Sequence, residues 1–322
     1  MLNIFRRLLV FVPEARNPSN MKFGKAEDLS KVNFDFPVEP LANAPRLDRY
    51  ELGSGQGKPN IYIGATGWSM KEWVGKWYPD KTKSADYLKE YGKQFNTIEL
   101  NTTHYRIPTP ELVQKWYNSV PPDFRFCPKV PQTISHRNDF GMPEGTLQRF
   151  IGSMDGLREK LGCVFLQLPP YFGADRLKLL NIFLDRWPRM LPLAVEVRHE
   201  GWFSDPFATE ALMDALAARQ VTAVITDVAG RRDVLHNYVT APRTMIRFVG
   251  NGLRETDFTR LAAWSDKLKA WNLPETYFFP HQPDNLLSPD ASAWFARHLQ
   301  ADGFAATRGP KIWEGPPQMS LF

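Results

Sequence analysis

The chain has 322 residues, 43% of them hydrophobic and 23% charged, with a formal net charge of +5. That balance excludes a disordered acidic tail-type protein and supplies enough apolar material for one large core or two ordinary ones. No apolar run approaches the roughly 20 residues of a membrane-spanning helix, and the two cysteines, Cys127 and Cys163, sit in no CxxC or Cys/His cluster, so no disulfide framework or structural zinc site is expected. A reducing, cytoplasmic setting without membrane association fits this pattern. The modest basic excess permits contact with phosphates without demanding it.

The first stretch, "MLNIFRRLLVFVPEARNPSN", has a charged start and a short apolar run. Charge and Pro13 stop that run too early for a secretory signal, and no small-residue cleavage site follows. Residues 1–59 lack sustained periodicity and end in "GSGQGKPN", so they read as an irregular, partly disordered extension or one that drapes over the domain. Met21 is a second candidate start.

From residue 61 onward, short β-like runs alternate with helical ones. "IYIGAT" (61–66) precedes a helical pattern over 84–94, and "TIELN" (97–101) precedes a helix announced by Thr109, Pro110 and Glu111 as cap, first-turn proline and first-turn acid. "FRFCPKV" (124–130) leads to a helical stretch ending near Lys160, "CVFLQLP" (163–169) to a helix over 174–187, and "LAVEVR" (193–198) to one over 207–219. "VTAVITD" (221–227) is followed by a short connection of uncertain type. "TMIRFVG" (244–250) and "TYFFPHQ" (276–282) precede helices over 257–271 and 289–299. Eight such units predict a parallel (β/α)₈ TIM barrel over 60–301, with a tail over 302–322. A doubly wound open sheet is the runner-up, weakened by the lack of GxGxxG after the first strand.

The period-2 pattern also assigns faces. Ile98 and Leu100 oppose Glu99 and Asn101; Val195 and Val197 oppose Glu196 and Arg198; Phe124 and Phe126 oppose Cys127 and Lys129. Likewise Ile246 and Phe248 oppose Arg247, and Val164, Leu166 and Leu168 oppose Gln167. Each polar member falls near the C-terminal end of its strand, where barrels build active sites.

The candidate mouth therefore contains Glu99, Asn101, Lys129, Gln167, Glu196, Arg198, Asp227 and Arg247, with Trp68, His104, Tyr105, His136, His199, Trp202 and His281 on adjoining loops. Glu99, Glu196, Asp227 and His199 are the candidate catalytic groups. Lys129, Arg198 and Arg247 suit a phosphate or carboxylate, and Trp68, Asn101, Tyr105, His136, Gln167 and Trp202 complete the substrate-binding set. The acids and histidines leave room for a divalent metal, without HxH or HExxH spacing to mark it. Against these stands a plain alternative, a salt-bridged polar layer that only closes the barrel. The cysteines take barrel-facing positions and are expected to be buried and inert.

"IYIGATGW", "FNTIELNTTHYR", "FRFCPKVPQTISH", "FLQLPP" and "AVEVRHEGWF", in this order and spacing, resemble the YecE-like family of TIM-barrel proteins, a family of unassigned function. The resemblance covers roughly residues 61–300 and implies a TIM barrel. It supports Gly64, Gly67, Trp68, Glu99, Asn101, Tyr105, Lys129, His136, Gln167, Pro169, Glu196, Arg198, His199 and Trp202 as family-pattern positions. The chain departs from the family with "GATGW" for "GTSGW", His104 for an aromatic, and "FFPHQPDN" for a "YFNN"-type ending, so His281 is outside that support.

The tail, "GPPQMSLF", resembles the pentapeptide by which bacterial polymerases and repair proteins bind the DNA sliding clamp. It has Met319 in place of the usual Leu, a conservative change. Gln318, Met319, Leu321 and Phe322 are thus candidate partner-binding residues: the apolar groups suit a pocket and the glutamine suits directional hydrogen bonds. Packing of the tail on its own barrel is the alternative. Together these readings point to an enzyme, hydrolase or lyase-type, acting on a phosphorylated or nucleic-acid substrate in DNA maintenance. A metabolite-binding barrel or small-molecule enzyme unrelated to DNA remains open beside it.

Overall fold

The computed structural model describes residue 24 and residues 26–50, 52, 57–142, 145–305 and 308–315. Among them, eight parallel strands run in the order β3-β2-β1-β8-β7-β6-β5-β4. They are β1 (Asn60–Ala65), β2 (Thr97–Leu100), β3 (Arg125–Pro128), β4 (Val164–Gln167), β5 (Leu193–Glu196), β6 (Thr222–Asp227), β7 (Arg243–Val249) and β8 (Glu275–His281). The gap between β3 and β4 is bridged by Phe126 opposite Leu161 and Lys129 opposite Phe165. Gly162 N–H donates to Phe126 O (2.8 Å) and Val130 N–H to Phe165 O (2.9 Å) across it. The sheet is thereby a nearly closed TIM-type barrel, as the alternation of strand and helix predicts.

The helices are α1 (Asn43–Tyr50), α2 (Tyr87–Gln94), α3 (Thr102–Tyr105), α4 (Pro110–Ser119), α5 (Gln132–Ser135), α6 (Thr146–Met154), α7 (Leu177–Arg186), α8 (Pro206–Ala217), α9 (Glu255–Trp271) and α10 (Ser288–Ala301). Thr109 caps α4 as its sequence signal requires, accepting from Leu112 N–H, with Pro110 in the first turn. In β1, a Cβ on Gly64 would lie 2.2 Å from Thr97 O, so only glycine permits the close approach of β1 to β2.

The barrel interior is filled by Cys127, Cys163, Phe165, Ala194, Val224, Met245, Tyr277 and Phe279. Both cysteines are free and buried. Burial pushes both thiols up, Cys163 to about 12, which disfavours the reactive thiolate. Outside the sheet, two larger apolar clusters tie the strands to the helices.

The connection from β6 to β7 holds only a 3₁₀ turn, Arg232–Val234. The N-terminal extension covers that side. Phe36 meets Trp264 edge-on, with ring centroids 4.6 Å apart, and Trp271 Nε1 donates to Glu39 (3.0 Å). Asn43 Nδ2 donates to Asn237 O (2.6 Å), and Asn43 Oδ1 accepts from Val239 N–H (2.9 Å). Tyr50 is buried against the cluster that contains Leu235, Val239 and Trp264. The sequence suggested irregular chain throughout 1–59, yet Asn43–Tyr50 is helical; eight largely polar residues carry too little periodicity to announce a helix that tertiary contacts hold in place. At the other end, Arg308 donates to Gly92 O and Phe95 O, and Trp313 N–H to Lys76 O (2.7 Å), which pins the post-barrel chain beside α2. Gln318, Met319, Leu321 and Phe322 lie outside the described residues.

Candidate functional site

Glu99, Lys129, Gln167, Glu196, Arg247 and His281 all converge at the C-terminal end of the barrel, because each follows the inward-facing residues of its strand by two positions. Arg247 is the centre. Its Nε and Nη2 donate to Glu99 Oε2 and Oε1 (both 2.9 Å), and its Nη1 donates to Glu196 Oε2 (2.7 Å). Arg198 Nε donates to the other Glu196 oxygen (2.7 Å). Asn101 Nδ2 reaches Glu99 Oε1 and His281 Nε2 reaches Glu99 Oε2, each at 2.9 Å.

Both acids are almost wholly buried. Burial alone would raise the Glu99 carboxyl, but the charges of Arg247 and then His281 overcome it and hold it well below the usual carboxylate range. Glu196 is likewise held down, burial opposing and Arg198 and Arg247 prevailing. Arg247 is held in its charged form by Glu196 and Glu99 against its own burial. These carboxylates are thus anions near neutral pH with their oxygens engaged. They can position and polarise neighbours but are poorly placed to give or take a proton near neutral pH.

Lys129 differs. It is only 9% exposed, and among the described residues its ammonium has no hydrogen bond or ion pair; its closest aromatic face is Phe165, 6.0 Å from the ring centroid. Burial first, and then the charge of Arg247, lower its pKa to about 8 despite Glu99 and Glu196. The Gln167 carboxamide also makes no hydrogen bond among the described residues. Thr226, in register with Arg247, is buried with its Oγ1 unpartnered. Buried polar groups are normally satisfied, so the unpartnered, buried Thr226 Oγ1 beside the solvent-reachable ends of Lys129 and Gln167, which lack protein partners, marks a place for a ligand. Counting formal charges, Lys129, Arg198 and Arg247 face Glu99 and Glu196, which leaves one excess cation.

Two histidines border Lys129. His104 and His136 have ring centroids 5.4 Å apart. His104 Nδ1 lies 3.1 Å from Val130 O, so Nδ1 carries the proton and Nε2 is the acceptor of the neutral ring. Ser135 Oγ lies 3.2 Å from Pro131 O and 2.9 Å from His136 Nδ1, which fixes the orientation of the His136 ring. Burial and then Lys129 lower His104 to about 4, and the same two causes lower His136. Tyr105, 73% exposed beside His104, and Tyr171, whose hydroxyl donates to His136 O (3.1 Å), form the rim on this side.

The other expected site residues lie elsewhere. Asp227 is at the end of β6 but faces α9: it pairs with Arg232 and with Arg260 (2.7 Å) and accepts from Trp264 Nε1 (2.8 Å). The expectation that it lines the mouth with Glu99 and Glu196 is therefore corrected. Alternation along β6 puts Thr222, Val224 and Thr226 on the inward face and Ala223, Ile225 and Asp227 on the face towards the helices. Trp202 is fully buried and donates to Phe172 O (2.8 Å), a core position and not a surface for substrate. His199 caps the following turn, Nδ1 accepting from Gly201 N–H (2.9 Å). Trp68 is half-buried and packs edge-on to Trp116, 6.2 Å between centroids. Among the described residues, no group of three or more His, Cys, Asp or Glu side chains is arranged to hold a metal ion. Thr226 escaped the sequence reading; its inward phase, two residues after Val224, was the available signal.

Fold and mouth together define a (β/α)₈-barrel protein with a charged, incompletely satisfied constellation at the functional end of the barrel. Residues 62–313 match the family described as "Protein of unknown function DUF72", and the chain belongs to that family. It is 34% identical over 249 residues to UPF0759 protein YecE of Escherichia coli (strain K12), covering 71% of this chain and 89% of that protein. It is similar in fold to a DUF72 family protein from Enterococcus faecalis V583 (TM-score 0.62, 21% identity, 79% of this chain and 100% of that one). A DUF72 family protein from Thermotoga maritima MSB8 is also similar (TM-score 0.58, 24% identity, 74% and 99%). No helix among the described residues is long and apolar enough to cross a membrane.

Proposed function

We propose that the barrel mouth binds a phosphate-bearing ligand and that the protein is an enzyme, hydrolytic or lyase-type, acting on a phosphorylated or nucleic-acid substrate. The observation that carries this reading is Lys129: a buried cation without an ion pair in a mouth whose two carboxylates are already committed to arginines. An incoming anion would supply the missing partner, with Gln167 and Thr226 offering further hydrogen bonds. The Glu99–Arg247–Glu196–Arg198 chain then acts as a rigid floor that fixes the position of the anion. Proton transfer falls to Lys129 and the neutral His104 and His136 in preference to Glu99 and Glu196.

The tail supports a place of work. Its Gln318, Met319, Leu321 and Phe322 pattern would tether the barrel to the DNA sliding clamp and raise its effective concentration at DNA. A small phosphorylated metabolite is the alternative ligand for the same mouth. The two are separated by measuring capture of the full chain by the clamp, and of a form lacking residues 318–322, alongside mass spectrometry of small molecules retained by the purified protein. Capture lost with the five residues supports the DNA reading. Equal capture, together with a retained phosphometabolite released by Lys129→Ala, overturns the tether and favours the metabolite.

A further inference from the structure

Lys129 has the surroundings of a nucleophile as well as those of an anion anchor. It stands just past the end of β3 inside the barrel, more than nine-tenths buried, with no hydrogen-bonding partner of its own among the described residues. Every other charged side chain of the floor is held by a named partner: Arg247 by two carboxylates, Arg198 by Glu196, Glu99 by three donors. A lysine that only completed a polar layer would be paired in the same way. Next to it stand two imidazoles: His104 Nδ1 donates to Val130 O, which leaves its Nε2 as a proton acceptor, and His136 Nδ1 is engaged with Ser135 Oγ.

We propose that Lys129 forms an imine with a carbonyl compound that also carries a phosphate, either a sugar phosphate or the open-chain aldehyde of an abasic site in DNA. The proposal rests on the anion reading above, since the phosphate is what brings the carbonyl to this mouth.

The step balances without any outside reagent. With its pKa lowered to about 8, the Lys129 ammonium gives up one proton to water. The freed nitrogen lone pair bonds to the carbonyl carbon, and the C=O π pair moves to oxygen, which takes up a proton from the new N–H₂⁺ group. A proton from water adds to the hydroxyl, water leaves, and the nitrogen lone pair becomes the C=N bond of a protonated imine. Arg198 and Arg247, as fixed neighbouring cations, favour the neutral amine at the start, and burial favours it further. The iminium is an electron sink, so carbon–carbon or β-elimination chemistry at the adjacent carbon is the reaction class it opens.

The test uses the full chain, sodium borohydride, and three probes: 2-deoxyribose 5-phosphate, 2-deoxyribose, and a single-stranded oligonucleotide with one abasic site. Borohydride delivers hydride to the imine carbon and fixes a secondary amine, which peptide mapping locates. The expected result is an adduct on Lys129 with the sugar phosphate, the oligonucleotide or both, at least about tenfold more than with 2-deoxyribose, the phosphate contact being worth one such factor. The adduct is absent in Lys129→Arg, which keeps the charge but cannot form the imine. An adduct with the oligonucleotide alone assigns the ligand to nucleic acid, and one with the sugar phosphate alone assigns it to metabolism. Absence of a Lys129 adduct with all probes, while inorganic phosphate still binds by calorimetry, overturns the imine and leaves the anion site standing. Absence of both overturns both. Labelling spread over surface lysines without preference for Lys129 also overturns the imine.

Discussion

Arg247 holds Glu99 through two parallel hydrogen bonds of 2.9 Å, reaching from β7 to β2 across the top of the barrel. Two strands, β8 and β1, separate these residues in the sheet order, so the pair ties opposite parts of the wall together. Replacing Arg247 by Met leaves Glu99 and Glu196 buried without their main counter-charge. Breaking such a pair from one side costs about 3–5 kcal/mol, and the urea midpoint at pH 7 is expected to fall accordingly. A midpoint within error of wild type would mean that the floor is not structurally coupled.

The same carboxylates set an acid dependence. Their folded pKa values lie below the usual range, whereas an unfolded Glu titrates near ~4.3. Their stabilisation is therefore fully present above that value and is lost as pH falls through the lower folded values. Urea denaturation between neutral pH and pH 3 is expected to show a decline that is shallower in the Glu99→Gln, Glu196→Gln double variant than in wild type.

Lys129 titrates in the opposite sense. Its folded pKa of about 8 lies below the ~10.4 of an unfolded lysine. The charged form is penalised in the fold at neutral pH, and wild-type stability rises as pH climbs from the folded value toward the unfolded one. Lys129→Met is expected to stabilise the protein at pH 7 by on the order of 3 kcal/mol and to remove that alkaline rise. A destabilised variant would identify Lys129 as a structural cation.

Asp227 separates support from binding. It anchors Arg260, Arg232 and Trp264 behind the sheet, so Asp227→Asn is expected to lower stability by about 3 kcal/mol while sulfate affinity at the mouth stays within about twofold, as for distant sites. A variant with normal stability and lost sulfate binding would move Asp227 back into the site.

The N-terminal extension is part of the folded unit. Asn43→Ala removes two hydrogen bonds to the β6–β7 connection and leaves Asn237 O and Val239 N–H without them, an expected loss of about 2 kcal/mol by chemical denaturation. Unchanged stability would make the extension a passive strap.

Strand positions and most inward faces were legible because Glu99, Lys129, Gln167, Glu196 and Arg247 interrupt apolar strands at alternate positions, which is a strong period-2 signal. Asp227 was assigned to the wrong side because its place at the strand end outweighed its phase, which in "VTAVITD" it shares with Ala223 and Ile225 on the helix side, and Trp202 looked like a loop aromatic although it fills the core. The helix at Asn43–Tyr50 was hidden because its stability comes from partners some 190 residues away in the chain. Which carboxylate oxygen meets which guanidinium nitrogen, and that Lys129 is left over, follow only from the closed barrel. No local pattern encodes them.

The most direct measurement is a calorimetric titration of the full chain with sulfate, which remains a dianion throughout the range, at pH 7 and pH 9, for wild type and Lys129→Met. Saturable one-site binding at pH 7 that weakens at pH 9, as the Lys129 ammonium with its pKa of about 8 loses its proton, and that is absent in a fully folded Lys129→Met, is the predicted result. No binding by wild type at pH 7, or equal binding by the variant, would contradict an anion site built on Lys129.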